Sequence, residues 1–525
     1  MPDYISRWKG EHLASSKAYK ACDLRDGNPC PPCLEAIELE KEVEAARQAL
    51  NNLLEKKNDM LININRYHDP LCSRLPPEIT SKIFECYRDL LEDERENTST
   101  VYRRREPLIL RLGAVCKAWR DIAWSSPFVW NHLRIYPTKS ATQLYNDGVE
   151  QWLKRAGGLP LFLSIKLNEF RTKHPINDRL MAIINRYSHQ WREFSLECHP
   201  DHLVMFSGNS NGAPLLSRLS IDLCVTNPPP TAQFCLPSME PRPIYVKLSS
   251  VSLTRLVMKW DNVTHVHFSS IALHELRTPF QQATRLIKCY LGSTGRVDQA
   301  SLESRISSAS RQSRITSPLK SLFLQHYSGQ EVLLLFQMFS FPKLSILELV
   351  AIRKVDINSL FSTLNPTSIH LKQLTLNLLN STVQTQILLG ALQRFPSLEN
   401  LTLNSKTPKD LLHTIGNNFV ANKSGDFYPT ILPNLKDFTL HITSEWDIDL
   451  WRLIPRIFGP WTEGDNSSNR SNLKRVSIIS SDNQPQICVE KDVLERLLEL
   501  GRSRFHLTAW KYGDLIEASI IYHGL

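Results

Sequence analysis

A short apolar pattern recurs through most of the chain, with apolar side chains at its first, fourth and sixth positions. It reads Trp191-Phe194-Leu196, Leu216-Leu219-Ile221, Leu253-Leu256-Met258 and Leu286-Cys289-Leu291. It continues as Leu319-Leu322-Leu324, Leu344-Leu347-Leu349, Leu371-Leu374-Leu376 and Leu398-Leu401-Leu403. Leu435-Phe438-Leu440 and Leu473-Val476-Ile478 complete the series. The interval between copies is uneven, short from Leu319 to Leu344 and half as long again from Leu435 to Leu473. Side chains alternate across a strand, so positions four and six share one face. Helix-compatible stretches lie between most copies, and Phe341-Pro342, Phe395-Pro396 and Leu432-Pro433 introduce several of them. One such unit cannot bury its own apolar face. Neighbours must stack, which favours short parallel strands, each backed by a helix or an irregular turn.

This spacing resembles the L-x-x-L-x-L signature of leucine-rich repeats. The resemblance implies an irregular, arc-shaped α/β solenoid over residues 137–525. It is irregular because the spacing is loose and the asparagine that usually follows the strand is largely missing. An unrelated α/β domain with leucine-rich strands is the alternative. In a solenoid the solvent-facing strand positions include Ser220, Val257, Phe323, Glu348, Thr375, Thr402 and Thr439. Their chemistry is mixed, with no uniform charge and no aromatic ladder, which points to a protein or peptide ligand over nucleic acid.

The N-terminal part is organised differently. Residues 1–33 are polar and close on Pro29, Pro31 and Pro32, which reads as a flexible leader. Residues 34–68 are rich in Glu, Ala, Leu and Lys, and 34–66 contain neither Gly nor Pro. Their apolar residues alternate in steps of three and four: Ala36, Leu39, Val43, Ala46, Leu50 and Leu53, then Lys57, Met60 and Ile64. That is a heptad seam with one polar intruder. Two readings stay open, a coiled coil that self-associates or an amphipathic helix folded back on the next domain.

Residues 71–136 read as a small helical unit. Pro76 and Pro77 suit a helix's first turn, and Ile79, Ile83, Phe84 and Tyr87 then fall on one face. Leu112, Val115, Cys116, Trp119 and Ile122 repeat the spacing until Pro127 stops the helix. This unit carries more large apolar side chains than its size can bury, so it calls for a partner surface.

Leu75-Pro76-Pro77-Glu78-Ile79, Ile83-Phe84 and Val115-Cys116-Lys117-Ala118-Trp119-Arg120 together resemble the F-box. The likeness extends over residues 28–165. It takes in the heptad helix, Ser125-Ser126-Pro127-Phe128-Val129-Trp130 and Trp152-Leu153-Lys154-Arg155, as in fungal, basidiomycete-type F-box-like proteins. The resemblance implies docking on the Skp adaptor of a Skp–cullin–F-box ubiquitin ligase. The implied adaptor-facing residues are Leu75, Pro76, Ile79, Ile83, Val115, Cys116 and Trp119. One departure is an insert over residues 88–106, expected as a surface loop that either absorbs the extra length or obstructs docking. Its Arg103-Arg104-Arg105 triplet is either a nuclear-import or acidic-partner patch, or a solvated loop.

The expected fold class is therefore α+β: an N-terminal coiled-coil helix and small helical F-box, followed by an irregular leucine-rich-repeat α/β solenoid. With 525 residues and a net charge of +9 from 62 basic and 53 acidic side chains, the chain lacks a nucleic-acid signature. No run approaches the roughly 18 uncharged apolar residues of a membrane span, and the N-terminus lacks a secretory apolar core. The 11 cysteines, including Cys86, Cys116 and Cys289 in apolar runs, read as reduced, buried thiols of a cytoplasmic or nuclear protein.

Motifs with chemical potential are weak. Gly208-Asn209-Ser210-Asn211-Gly212 fits the G-x-S-x-G pattern, yet its composition is that of a loop. Cys30-Pro31-Pro32-Cys33 is half a zinc site at best, and reads as free surface thiols. His265 and His267 share one strand face but lack a third ligand. No metal, cofactor or catalytic residue is expected. Three functions compete: a substrate-recognition adaptor holding the Skp adaptor, and through it a cullin, while the repeats bind an unknown target protein; a non-ligase interaction scaffold; and an enzyme built on Ser210.

Overall fold

A computed structural model describes residues 30–69, 71, 74–97, 108–137, 143–167, 178–223, 234–236, 240–292, 313–353, 356–364, 370–377, 385–405, 408–416, 419–421, 427–429, 432–442, 452–454, 473–480, 488–500, 505–509 and 513–525. Packing divides the chain into two units, Met1–Val129 and Trp130–Leu525.

In the first unit a single long helix, α1, runs over Pro31–His68. Pro31 and Pro32 occupy its opening turn, where a missing N–H costs nothing, so the helix begins inside the expected leader. The rest of that leader, residues 1–29, lies outside the described residues. The heptad seam stays uncovered: Leu39 is 61% exposed, Leu53 62% and Met60 64%.

Three shorter helices follow: α2 over Pro77–Asn97, α3 over Leu108–Val115 and α4 over Lys117–Ser125. Helix α2 corrects the loop reading of the insert, since it continues through residues 88–97. Leu90, Leu91, Glu92 and Glu94 are good helix formers and nothing in the stretch breaks the helix. The remainder of the insert, Arg103-Arg104-Arg105 included, lies outside the described residues. The unit's core comprises Phe84, Ile109, Leu112, Ala123 and Val129, all buried. Gly113 is required by packing, because a Cβ there would lie 2.1 Å from the Trp124 ring.

The second unit is built on one fifteen-stranded sheet whose order follows the sequence. Its strands are β1 His132–Ile135, β2 Leu161–Lys166, β3 Trp191–Cys198, β4 Arg218–Leu223, β5 Tyr245–Ser249, β6 His265–Ser269 and β7 Lys288–Gly292. They continue as β8 Ser321–Gln325, β9 Ile346–Val350, β10 Gln373–Asn377, β11 Asn400–Ser405, β12 Asp437–Ile442, β13 Arg475–Ser480, β14 Phe505–Ala509 and β15 Gly513–Asp514. Every pairing is parallel except the last. Helices between the strands pack on their sequence neighbours. The result is a mixed helix-and-strand, solenoid-like arrangement.

The register aligns equivalent residues strand after strand. One buried column runs from Leu133 through Leu163, Phe194 and Leu219 to Phe438 and Val476. A second runs from Ile135 through Ile165, Leu196 and Ile221 to Leu440 and Ile478. Burying each such side chain stabilises the fold by about 1.5–3 kcal/mol, so these two columns dominate the core.

Nine of the ten copies of the pattern place their central residues in this ladder; Leu253-Leu256-Met258 does not. Leu253–Arg255 is a 3-10 turn, and Leu256–Val257 pairs with Phe234–Cys235 in a separate two-stranded sheet. Val257 is therefore not on the sheet face expected for it. The ladder strand in that interval is β5, centred on Val246 and Leu248. Strands β1, β2, β5 and β6 have the same spacing, as Trp130-Leu133-Ile135, Pro160-Leu163-Ile165, Pro243-Val246-Leu248 and Val263-Val266-Phe268. Trp130 and Val263 fit the pattern as Trp191 does, and only Pro160 and Pro243 depart from it at the first position.

Among the described residues, the residue after the strand is left-handed in four units: Ser250, Ser270, His326 and Ala351, with φ of 54–63°. Ser250, Ser270 and His326 then donate their N–H to the end of the next strand, at 2.9, 2.8 and 3.0 Å. The next residues inward, Val251, Ile271, Tyr327 and Ile352, are buried. Apolar side chains thus fill the place where the pattern lacks asparagine.

Helix Gly329–Met338 illustrates how a backing helix is fixed. Ser328 Oγ accepts from Glu331 N–H at 3.3 Å, and the Ser328 N–H donates to Glu331 Oε2 at 2.8 Å. This reciprocal cap satisfies backbone donors that the first helical turn leaves open. Among the described residues, no helix is long and apolar enough to cross a membrane. Ser328→Ala is expected to lower unfolding stability by about 1 kcal/mol, measured by urea titration.

Candidate functional site

Two surfaces stand out, one in each unit. In the first, Leu75 and Pro76 shape the turn into α2: Leu75 N–H donates to Leu71 O at 2.9 Å, and Pro76 O accepts from Ile79 and Thr80 at 3.1 Å. Ile79, Ile83 and Tyr87 follow at four-residue steps, so they form one stripe along α2. They are 50%, 38% and 45% exposed, and Leu90, 63% exposed, extends the stripe. Phe84 points the other way and is buried. Val115, at the end of α3, is also exposed. Cys86, expected as a buried thiol, is exposed beside the stripe.

Cys116 and Trp119 are held differently. Cys116 is the N-cap of α4, its Sγ accepting from Trp119 N–H at 3.4 Å. The Trp119 ring packs against Phe84 with centroids 5.0 Å apart, and its Nε1–H donates to Asp69 Oδ2 at 2.7 Å. The Cys116 thiol also reaches Asp69, at 3.8 Å. Both residues are half-buried, so they tie the helices together as well as reaching the surface. The sequence motif did not include Asp69, which precedes it.

In the second unit, one face of the sheet carries polar and aromatic side chains. Register places Ser220, Lys247, His267, Tyr290, Phe323, Glu348, Thr375, Thr402 and Thr439 in a single column. His267 lies 3.9 Å from Tyr290, and Tyr290 stacks on Phe323 at 4.5 Å. The sequence shows no aromatic ladder; the structure shows a short one. Its members come from three different strands, β6, β7 and β8, so only the register assembles it. Arg218 lies over the Tyr245 ring at 4.4 Å on the same face.

Partial burial governs the electrostatics here. It pushes the His267 imidazole down to about 4, with the Lys247 ammonium adding to the effect. His265 is lowered by burial and then by Lys288 and Arg218, whereas burial raises Glu348.

The remaining motifs resolve as structure. Gly208 and Gly212 are left-handed, with φ of +69° and +63°, and Asn209 N–H donates to Ser188 Oγ at 2.9 Å. Ser210 is exposed in this turn with no strand before it and no helix after it, unlike a nucleophile elbow. Cys30 and Cys33 are half-buried at the start of α1, their sulfurs 3.4 Å apart. Among the described residues, no three His, Cys, Asp or Glu side chains converge as a metal site would require.

Residues 72–136 match the F-box-like family. No curated protein matches the chain. The chain therefore carries an F-box-like domain, a module whose usual work is protein interaction, typically as an adaptor.

Two measurements test this geometry. Asp69→Ala should leave the Trp119 indole unpaired and destabilise α4 by about 1–3 kcal/mol, read as faster hydrogen exchange over residues 108–125. The unfolded chain binds a proton at His267 near pH 6.5, the folded chain only near 4, so stability should fall as pH drops through that window. His265 acts in the same direction and Glu348 opposes it. His267→Phe should flatten the pH dependence of the thermal midpoint over that window.

Proposed function

We propose that this protein is a substrate-recognition adaptor of a Skp–cullin–F-box ubiquitin ligase. The observation that carries the reading is the F-box-like match over residues 72–136 together with an exposed apolar stripe, Ile79, Ile83 and Tyr87, inside it. A small helical unit gains nothing from leaving these side chains in water unless a partner covers them. The Skp adaptor would contact Leu75, Pro76, Ile79, Ile83 and Val115 directly. Cys116 and Trp119 would complete the surface while holding it in shape.

The second unit then serves as the target receptor, and the leucine-rich-repeat likeness of its ladder supports that role. Its aromatic stretch, His267, Tyr290 and Phe323, lies between Lys247 and Glu348 and offers a protein target both apolar area and two charges of opposite sign. Bond chemistry belongs to other subunits. This chain supplies proximity and orientation. The continuation of α2 through residues 88–97 favours a second reading, an interaction scaffold that binds the Skp adaptor without assembling on a cullin.

Binding of the full chain to a purified Skp adaptor, with and without cullin, decides between them. Ile83→Asp should weaken adaptor binding at least about a hundredfold, with a folded chain and only a small drop in the thermal midpoint because Ile83 is more than a third exposed. No affinity in the folded wild-type chain would overturn the adaptor reading. Adaptor binding without cullin recruitment would select the scaffold.

A further inference from the structure

The uncovered face of α1 has a specific complement, and that complement is α1 itself, reversed. The seam sets two alanines and one lysine among larger apolar residues, and the helix carries its charge unevenly. Glu35, Glu38, Glu40, Glu42 and Glu44 outnumber Lys41 and Arg47 in its first half, while Lys56, Lys57 and Arg66 outnumber Glu55 and Asp59 in its second. A parallel, in-register pair would set like against like. Ala36 and Ala46 would face their own copies and leave voids, Lys57 would face Lys57, and Glu35 would flank Glu40, with Glu42 beside Arg47 as the one favourable flanking pair.

An antiparallel pair removes these conflicts with one register, and the Arg47 it brings beside its own copy is countered by Glu44 of the same helix, 3.6 Å away. Placing Val43 against Leu53 of the second copy puts Ala36 against Met60 and Ala46 against Leu50, so each small residue meets a large one. The same register sets Lys57 beside Leu39, within reach of Glu38, Glu40 and Glu42 of the other copy. Glu42 and Lys56 then flank the seam as an opposite-charge pair, formed twice by symmetry. The seam residues are open to a partner, since Leu39, Val43, Leu50, Leu53 and Met60 are each more than half exposed.

We infer that α1 is a homodimerisation element, a two-stranded antiparallel coiled coil between two copies of this chain, centred near Gln48. It goes beyond the adaptor function and does not depend on it, because dimerisation is read without any Skp adaptor present.

The test uses the full chain, first by sedimentation equilibrium and then by zero-length carbodiimide cross-linking of a mixture of isotopically light and heavy protein. Glu42 and Lys56 of one straight helix stand roughly 21 Å apart, so a Glu42–Lys56 cross-link forms only between antiparallel copies. A dimer giving that light–heavy cross-link is the expected result. A monomer, or a dimer lacking it, overturns the proposal. Two variants sharpen the outcome. Leu53→Glu should weaken dimerisation at least about tenfold, with an unchanged thermal midpoint for the rest of the chain. Glu42→Lys should weaken it about threefold to tenfold, and adding Lys56→Glu in the same chain should restore it. Failure of that double change to restore the dimer would mean a parallel pair and sink the antiparallel assignment.

Discussion

The parallel register of the long sheet is the constraint on which the second unit depends. Residues at the fourth and sixth positions of each unit line up with their equivalents, so two columns of leucine, isoleucine, valine and phenylalanine, with Cys289 in one, run across the ladder. Each strand is too short to be stable alone. It is held by the neighbouring strands and, in most units, by a helix or 3-10 turn behind it. Stability of this kind is distributed between nearest neighbours, which explains why the uneven intervals between units do no harm. Loop length varies at small entropic cost, while the four-and-six spacing does not vary.

The same register creates the surface that faces water. Because strand side chains alternate, the positions between the buried columns are carried into columns of their own. Lys247, His267, Tyr290, Phe323 and Glu348 become neighbours although each belongs to a different strand. The ring contacts among them reduce their solvation, and the depressed imidazole of His267 is a direct consequence. The polar and aromatic column on this sheet is a by-product of core alignment: a one-residue slip in any strand would turn that strand's polar residues into the core.

Much of this is legible in the sequence, and the gaps have physical causes. Nine copies of the pattern fall on ladder strands because burial on one face forces apolar residues there. The copy at Leu253 misleads, since a left-handed Ser250 has already ended β5 and the chain is turning. Two strands escape the pattern because Pro160 and Pro243 stand at its first position, while β1 and β6, led by Trp130 and Val263, fit it. The short aromatic ladder is invisible because contact across strands depends on register, which no local window contains. In the first unit, the heptad seam and the helix boundaries near Pro77 and Pro127 follow from local rules. The continuation of α2 past Tyr87 is hidden by its charge, which suggests a loop although the residues are good helix formers.

The F-box-like unit shows why motif residues differ in what they do. Along α2, Ile79, Ile83 and Tyr87 are separated by four residues and face outward, whereas Phe84 sits one position off the stripe and is buried against Trp119. Trp119 is placed by three interactions at once: the Phe84 ring, the Asp69 carboxylate and the Cys116 cap. A side chain fixed in that way sets the position of α4 relative to α2. Changing Trp119 therefore alters the shape of the unit before it alters any surface contact, and a loss of partner binding in such a variant says little about contact. Changing Ile83, more than a third exposed and without a hydrogen-bonding side chain, acts more on the surface than on that framework. The distinction rests on burial and hydrogen bonding, which a motif cannot express because it records residue type and spacing without saying which side of the helix is already occupied.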